Sequence, residues 1–243
     1  MTPPTWLTLV AWLSLSAGFV SAPAIVYDIY GRGLRQPMRV MEAVWPITAL
    51  YLGPLGWPAY ARLGRPTPNP ADGPEWEGFA LSATHCGAGC ALGDVIGEWI
   101  VFAGSLTILG SGLWPGYLLD LVLGYLLGIG FQYWAIKPMG ELSRRDALRD
   151  AIRADTLSIL AFEAGMFAWM AFVYFVVFAH PHLDAGHAAY WLMMQIAMAV
   201  GLATTYPAQV WLIHRGVKQT MGRPLLASVE ARKVGRRASR VAP

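Results

Sequence analysis

His85, Cys86, Cys90, Asp94 and Glu98 all lie in one largely apolar stretch, residues 79–109. Positions four apart stack on one face of a helix. Cys86, Cys90, Asp94 and Glu98 therefore form a single stripe, and Gly89, Gly93 and Gly97 form a second stripe beside it. Small residues at that spacing let another helix come close, so the polar stripe is expected to face protein. Thiolate and imidazole together suit a soft or borderline metal, Cu(I) first and zinc second. The run 85–90 (His-Cys-Gly-Ala-Gly-Cys) contains two glycines, which would let it wrap an ion as a loop before the helix begins. Buried Cys also packs as a small apolar residue, and a thiol pair can do redox chemistry. A bridge between positions i and i+4 of a regular helix strains disulfide geometry, however.

Further candidates lie downstream. Glu163, Met166 and Met170 share a helix face, as do Met194 and Met198, with Met193 and Gln195 beside them. A buried carboxylate needs a partner or a proton, so Glu163 is a candidate ligand or charge balance. The methionines are candidate thioether ligands, although Met is also a common core filler. His180, His182, Asp184 and His187 crowd one short connection, either as a metal-capturing loop or as solvated residues. Asp120, Gln132, Thr204, Thr205 and Tyr206 are polar groups that can simply bond a neighbouring helix. One expectation orders these groups across the membrane, with His outside, Met in the middle, and Cys and carboxylate inside.

The elements that must hold these residues are hydrophobic. Of 243 residues 56% are hydrophobic and 14% charged, against about 25% charged in an ordinary soluble domain. Eleven Trp, ten Tyr and nine Phe suit interfacial belts. The net charge of +3 is small, and its basic residues sit between the apolar runs and in the tail, so no nucleic-acid partner is expected. About six hydrophobic segments are read, at residues 6–27, 40–61, 79–109, 114–136, 156–179 and 188–213. The first lacks a basic leader and is read as a retained span. The second contains Pro46, Pro54 and Pro58, so it is either a bent span or a re-entrant hairpin. The third is too long for one upright span, so its first turns are expected at the interface or outside the helix. Residues 65–74 form a Pro-rich loop. Residues 137–155 read as a charged amphipathic surface helix. The expected division is a helical membrane domain, 1–222, and a disordered basic cytoplasmic tail, 223–243.

Short basic loops stay in the cytoplasm, which puts the 137–155 linker and the tail inside. Six full spans would leave Arg32, Arg35 and Arg39 outside; a re-entrant second segment removes that conflict and puts the N-terminus outside.

The motif from His85 to Cys90, followed by Leu92-Gly93-Asp94, resembles the signature of a family of bacterial polytopic membrane proteins of unknown function. Gln36-Pro37-Met38, residues 44–51, Gly53-Pro54, and the stretch from Tyr206-Pro207 to Lys218 are similar to the same family. The resemblance covers about residues 28–221. It implies a multi-pass domain in a bacterial membrane, and an association with copper proteins.

The sequence thus reads as an all-α polytopic helical bundle in the bacterial cytoplasmic membrane, C-terminus inside. Its expected role is handling a soft metal ion, as a binder, carrier or exporter rather than as an enzyme. No Gly-x-x-x-x-Gly-Lys-Ser/Thr phosphate loop is present. The expected metal residues are His85, Cys86, Cys90, Asp94, Glu163, Met166, Met194 and Met198, with copper as the ion and zinc as the alternative. The expected partners are the lipid bilayer, the metal ion, and other membrane proteins or further copies of the chain. Two other functions stay open: a non-catalytic subunit of a larger membrane complex, and a thiol oxidoreductase using Cys86 and Cys90.

Overall fold

Lipid offers the backbone no hydrogen-bond partner, so each crossing segment must satisfy its own amides as a helix. The computed structural model describes residues 3–66, 74–136 and 143–218. Among these, all regular structure is helical apart from one isolated β-bridge, Ile108–Ser111. Five helices are long and apolar enough to cross a membrane. They are α1 (Thr5–Tyr30), α4 (Glu75–Gly104), α5 (Leu113–Ile136), α6 (Arg144–Phe172, extended by a π-turn Val173–Val177) and α7 (Ala188–His214). Even the 24-residue α5 is about 36 Å long at 1.5 Å per residue, enough for a hydrocarbon core of about 30 Å. Large apolar side chains such as Phe19 (66% exposed), Leu126 (61%) and Val176 (65%) point outward. Lipid is the solvent that suits them, and the chain is a multi-pass membrane protein.

The second hydrophobic segment is a re-entrant hairpin. Helix α2 (Met41–Leu52) stops at Gly53, whose φ of +55° is left-handed, and the chain turns through Gly53–Leu55. It returns as α3 (Gly56–Ala59) and a π-turn, Tyr60–Gly64. A β-carbon on Gly56 would lie 2.5 Å from the Ala49 Cα; in a straight helix these positions would be about 10 Å apart. At the base, Gln36 Nε2 donates to the Gly64 carbonyl at 2.8 Å, and Arg65 Nε pairs with Asp28 of α1 at 2.9 Å. At the tip, Gln195 Nε2 of α7 donates to the Leu50 carbonyl at 2.7 Å, and the Ser14 hydroxyl of α1 donates to Gln195 Oε1 at 2.7 Å. Gln195 thus satisfies a carbonyl that the end of α2 leaves open in mid-bundle.

Both hairpin ends meet the face where α1 ends. The same face holds the start of α4, through Gln209 Nε2 donating to the Ser82 carbonyl (3.2 Å), and the end of α7, through the Lys218–Asp155 pair. We call it the basic face, because every Lys and Arg among the described residues lies at or toward it. Five crossings put α1's start at the opposite face.

Two expectations are corrected. Helix α4 is continuous from Glu75, so its first turns are helical and the run 85–90 is no loop. The charged linker is not a separate surface helix: from Arg144 it forms the first turns of α6, capped by the Ser143 hydroxyl, which accepts from the Asp146 amide. The 223–243 tail, Lys137 and most of the Pro-rich loop lie outside the described residues.

Candidate functional site

Backbone contact between α4 and α5 sets the site's frame. A β-carbon on Gly89 would stand 2.7 Å from the Gly128 Cα, one on Gly93 would run into the Gly124 backbone, and one on Gly97 would strike the Asp120 carboxylate. The glycine stripe of α4 therefore lies directly on α5, as its spacing predicts. This turns the neighbouring Cys86–Cys90 stripe toward α6 and the hairpin tip. Both cysteines are fully buried free thiols. They lie within interaction range of each other, and Cys90 also of Glu163. From the hairpin, the Tyr51 hydroxyl reaches over Gly87, 3.2 Å from where a β-carbon would be, next to both sulfurs.

Carboxylates continue from the thiols toward the face opposite the basic one. A β-carbon on Gly124 would be 2.5 Å from Glu163 Oε1 and 3.4 Å from Asp94 Oδ1, so these two acids share the space above one glycine. Asp120 comes next on α5, and then Glu98, which meets Asp120 and the Tyr190 hydroxyl of α7. Asp94, Asp120 and Glu163 are each at most 1% exposed. Among the described residues neither carboxylate oxygen of Asp94 or Glu163 closes a hydrogen bond of ordinary geometry. Among the described residues the ion pairs use Asp28, Glu42, Asp155 and Asp184, and none uses these four acids. Carboxylates in a bilayer without a partner are costly, so this group requires protons or a cation. Beyond Glu98 lies a cavity of about 280 Å³, lined also by Met170, Tyr174, His182, Asp184 and Tyr190.

The structure separates several residues that the sequence grouped. His85 is buried, but it lies edge-on to Phe131 of α5 (centroids 6.4 Å apart) and toward Asp155 and Lys218, away from the sulfurs. Met166, Met194 and Met198 are buried in the same apolar core as Cys86 and Cys90. The expected ladder changes order, because the acids run from the thiols toward the histidine loop. In that loop His182 Nδ1 contacts the Phe178 carbonyl (3.0 Å) and the ring stacks on Tyr174, while His187 Nδ1 meets Asp184 (3.0 Å). Among the described residues no three His, Cys, Asp or Glu side chains converge on one point at ligand distance. Sequence reasoning missed Tyr51, Tyr190, Asp155 and Lys218. Only Lys218 carried a signal, as a charge directly after an apolar run. Asp120 was noted only as a packing group, and it stands in the acid row.

A family model described as "Domain of unknown function (DUF4396)" matches residues 75–218, from α4 through the end of α7, and the chain belongs to that family. The match contains the thiols and all four acids, and it begins after the hairpin. No curated protein and no solved structure matches the chain.

Proposed function

We propose that this member of the family handles a soft metal ion, Cu(I) before zinc, at an intramembrane site centred on Cys86 and Cys90. One observation carries the proposal: two buried thiols face each other four residues apart on an unbroken helix, with the Glu163 and Asp94 carboxylates beside them and no Lys or Arg paired to these acids among the described residues. Positions i and i+4 place β-carbons about 5–6 Å apart. A disulfide needs about 3.5–4.5 Å between them. Two sulfurs on opposite sides of one ion are about 4.6 Å apart, taking a metal–sulfur bond of about 2.3 Å. The unbroken helix thus favours an ion bridge over a disulfide, which weighs against the oxidoreductase reading. Zinc in a structural site requires four ligands, and no such set converges among the described residues. A two-coordinate Cu(I) requires only the sulfur pair. Glu163 and Asp94 supply charge beside it, and Met166, Met194 and Met198 give the surrounding core a thioether lining.

The hairpin supports an orientation for this reading. With both its ends at the basic face, Arg32, Arg35, Arg39 and Arg65 lie on the same side as Arg144, Arg215 and Lys218. The positive-inside rule makes that side cytoplasmic. The N-terminus is then outside, in a bacterial inner membrane, and the 85–90 motif is read as the family's signature.

The test uses the full chain in detergent, loaded with Cu(I) under reducing conditions. We expect one sulfur-bound copper per chain, lost in Cys86→Ser/Cys90→Ser. Unchanged copper in that variant overturns the reading. Copper-free wild-type protein, co-purifying with a stoichiometric membrane partner, would favour the subunit reading instead.

A further inference from the structure

On the cytoplasmic side of the thiols lies a second interior site, and a cation of the chain itself fills it. Lys218 Nζ is 2.5 Å from Asp155 Oδ1, with the two side chains 1% and 0% exposed. Among the described residues the other Asp155 oxygen has no hydrogen-bond partner, and neither does the hydroxyl of Ser158, one turn further on the same face of α6. His85 is fully buried and within electrostatic range of this pair, with the Phe131 backbone as its nearest polar neighbour. The site therefore offers a carboxylate oxygen and a hydroxyl, with the His85 imidazole nearby. Removing Lys218 would leave it with no cation, and His85 adjoins Cys86 in the chain.

Lys218 is placed so that it can leave. It follows the end of α7 through Gly216, whose φ is +69°, and the Val217 and Lys218 amides both return to the Leu212 carbonyl at 3.0 and 3.4 Å. We propose that Lys218 is a tethered cation occupying an inner cation site formed by Asp155, Ser158 and His85, and that an ion passing between the cytoplasm and the thiols must displace it. The gating part rests on the metal-handling reading; the site itself does not. Imidazole with carboxylate suits Cu(I) less than thiolate does, but it suits borderline ions well, as a transit site requires.

Two measurements test this. In the wild-type chain, Lys218 should resist an amine-acetylating reagent both metal-free and with one Cu(I) at rest on the thiols, and its labelling, read by mass spectrometry of the peptide, should rise at least tenfold while Cu(I) exchanges between the thiols and an excess of a buffered Cu(I) chelate. In the Cys86→Ser/Cys90→Ser background, where the thiol site cannot report, Lys218→Met should gain one bound Cu(I) or zinc per chain. Adding Asp155→Asn should abolish that gain while removing the unpaired charge, so that a folding defect in Lys218→Met is recognised by its rescue. Labelling that stays low while Cu(I) is exchanging, or a Lys218→Met chain that folds and gains no ion, overturns the proposal. Copper-free wild-type protein whose Lys218→Met variant still gains an ion overturns the thiol reading and leaves the inner site standing.

Discussion

Gly93 and Gly130 test the packing of α4 on α5, because one substitution should act with opposite signs at the two positions. At Gly93 a β-carbon would overlap the Gly124 backbone, which has no flexible end to move aside. Gly93→Ala must therefore push the two helices apart, and over-packing of this kind costs about 1–3 kcal/mol. The displacement also lifts Gly124 away from Glu163 and Asp94, so the acids should shift with it. At Gly130, on the exposed side of α5, a β-carbon meets nothing within 4 Å. There Gly130→Ala only gains helix propensity, about 0.5–1 kcal/mol of stabilisation. Unfolding by a graded exchange of mild detergent for SDS, followed by Trp fluorescence, should move the midpoint down for Gly93→Ala and up for Gly130→Ala. At 1.4 kcal/mol per factor of ten, the two unfolding constants should differ by about one to three decades. Midpoints that move together, or a neutral Gly93→Ala, would refute backbone contact between the two glycine stripes.

The other stability predictions use the same titration. Gln195→Leu removes both the amide on the Leu50 carbonyl and the partner of the Ser14 hydroxyl; leaving buried groups unsatisfied should cost about 1–3 kcal/mol each, and protease should cut the hairpin faster, whereas unchanged cleavage would deny the tip its anchor. Lys218→Met strands the Asp155 charge and should cost about 3–5 kcal/mol, while Lys218→Met/Asp155→Leu should recover most of that loss; a double variant no better than the single one would show that burial of the charge is not what costs.

The sequence declared the solvent and most of the helices, since long apolar runs with few charges leave little choice in lipid. The glycine stripe of α4 also predicted a close helix contact, because only glycine permits one. Three things were not legible. Prolines in the second segment fit a bend or a hairpin equally, and the choice came from tertiary bonds at Gln36, Arg65 and Gln195, far apart in sequence. His85 looked like a partner of Cys86 because it is adjacent, yet adjacent residues on a helix point about 100° apart, and continuity of α4 sent it toward Lys218. The acid row needed α5 and α6 to be placed beside α4: in sequence, Asp120 and Glu163 are single polar residues in apolar runs.

Tyr51 separates packing from chemistry at the thiols. Its hydroxyl is fully buried and makes no hydrogen bond of ordinary geometry, with Thr48 its polar neighbour on α2 and the two sulfurs across from it. An unsatisfied buried hydroxyl destabilises the protein that carries it. Tyr51→Phe should therefore stabilise the metal-free chain, by up to about 1 kcal/mol. In the metal-loaded chain the balance reverses: sulfurs bound to Cu(I) are thiolates, and a hydroxyl donating to an ionised acceptor contributes about 1.5–3 kcal/mol. The same substitution should then weaken copper binding at least tenfold. Metal-free stability comes from the SDS titration, and copper affinity from competition with a coloured Cu(I) chelator. A hydroxyl that only fills space would leave affinity unchanged, so stabilisation without loss of affinity would remove Tyr51 from the site. Loss of both together would mean that the ring, not the hydroxyl, was disturbed, and Tyr51→Leu should then reproduce it.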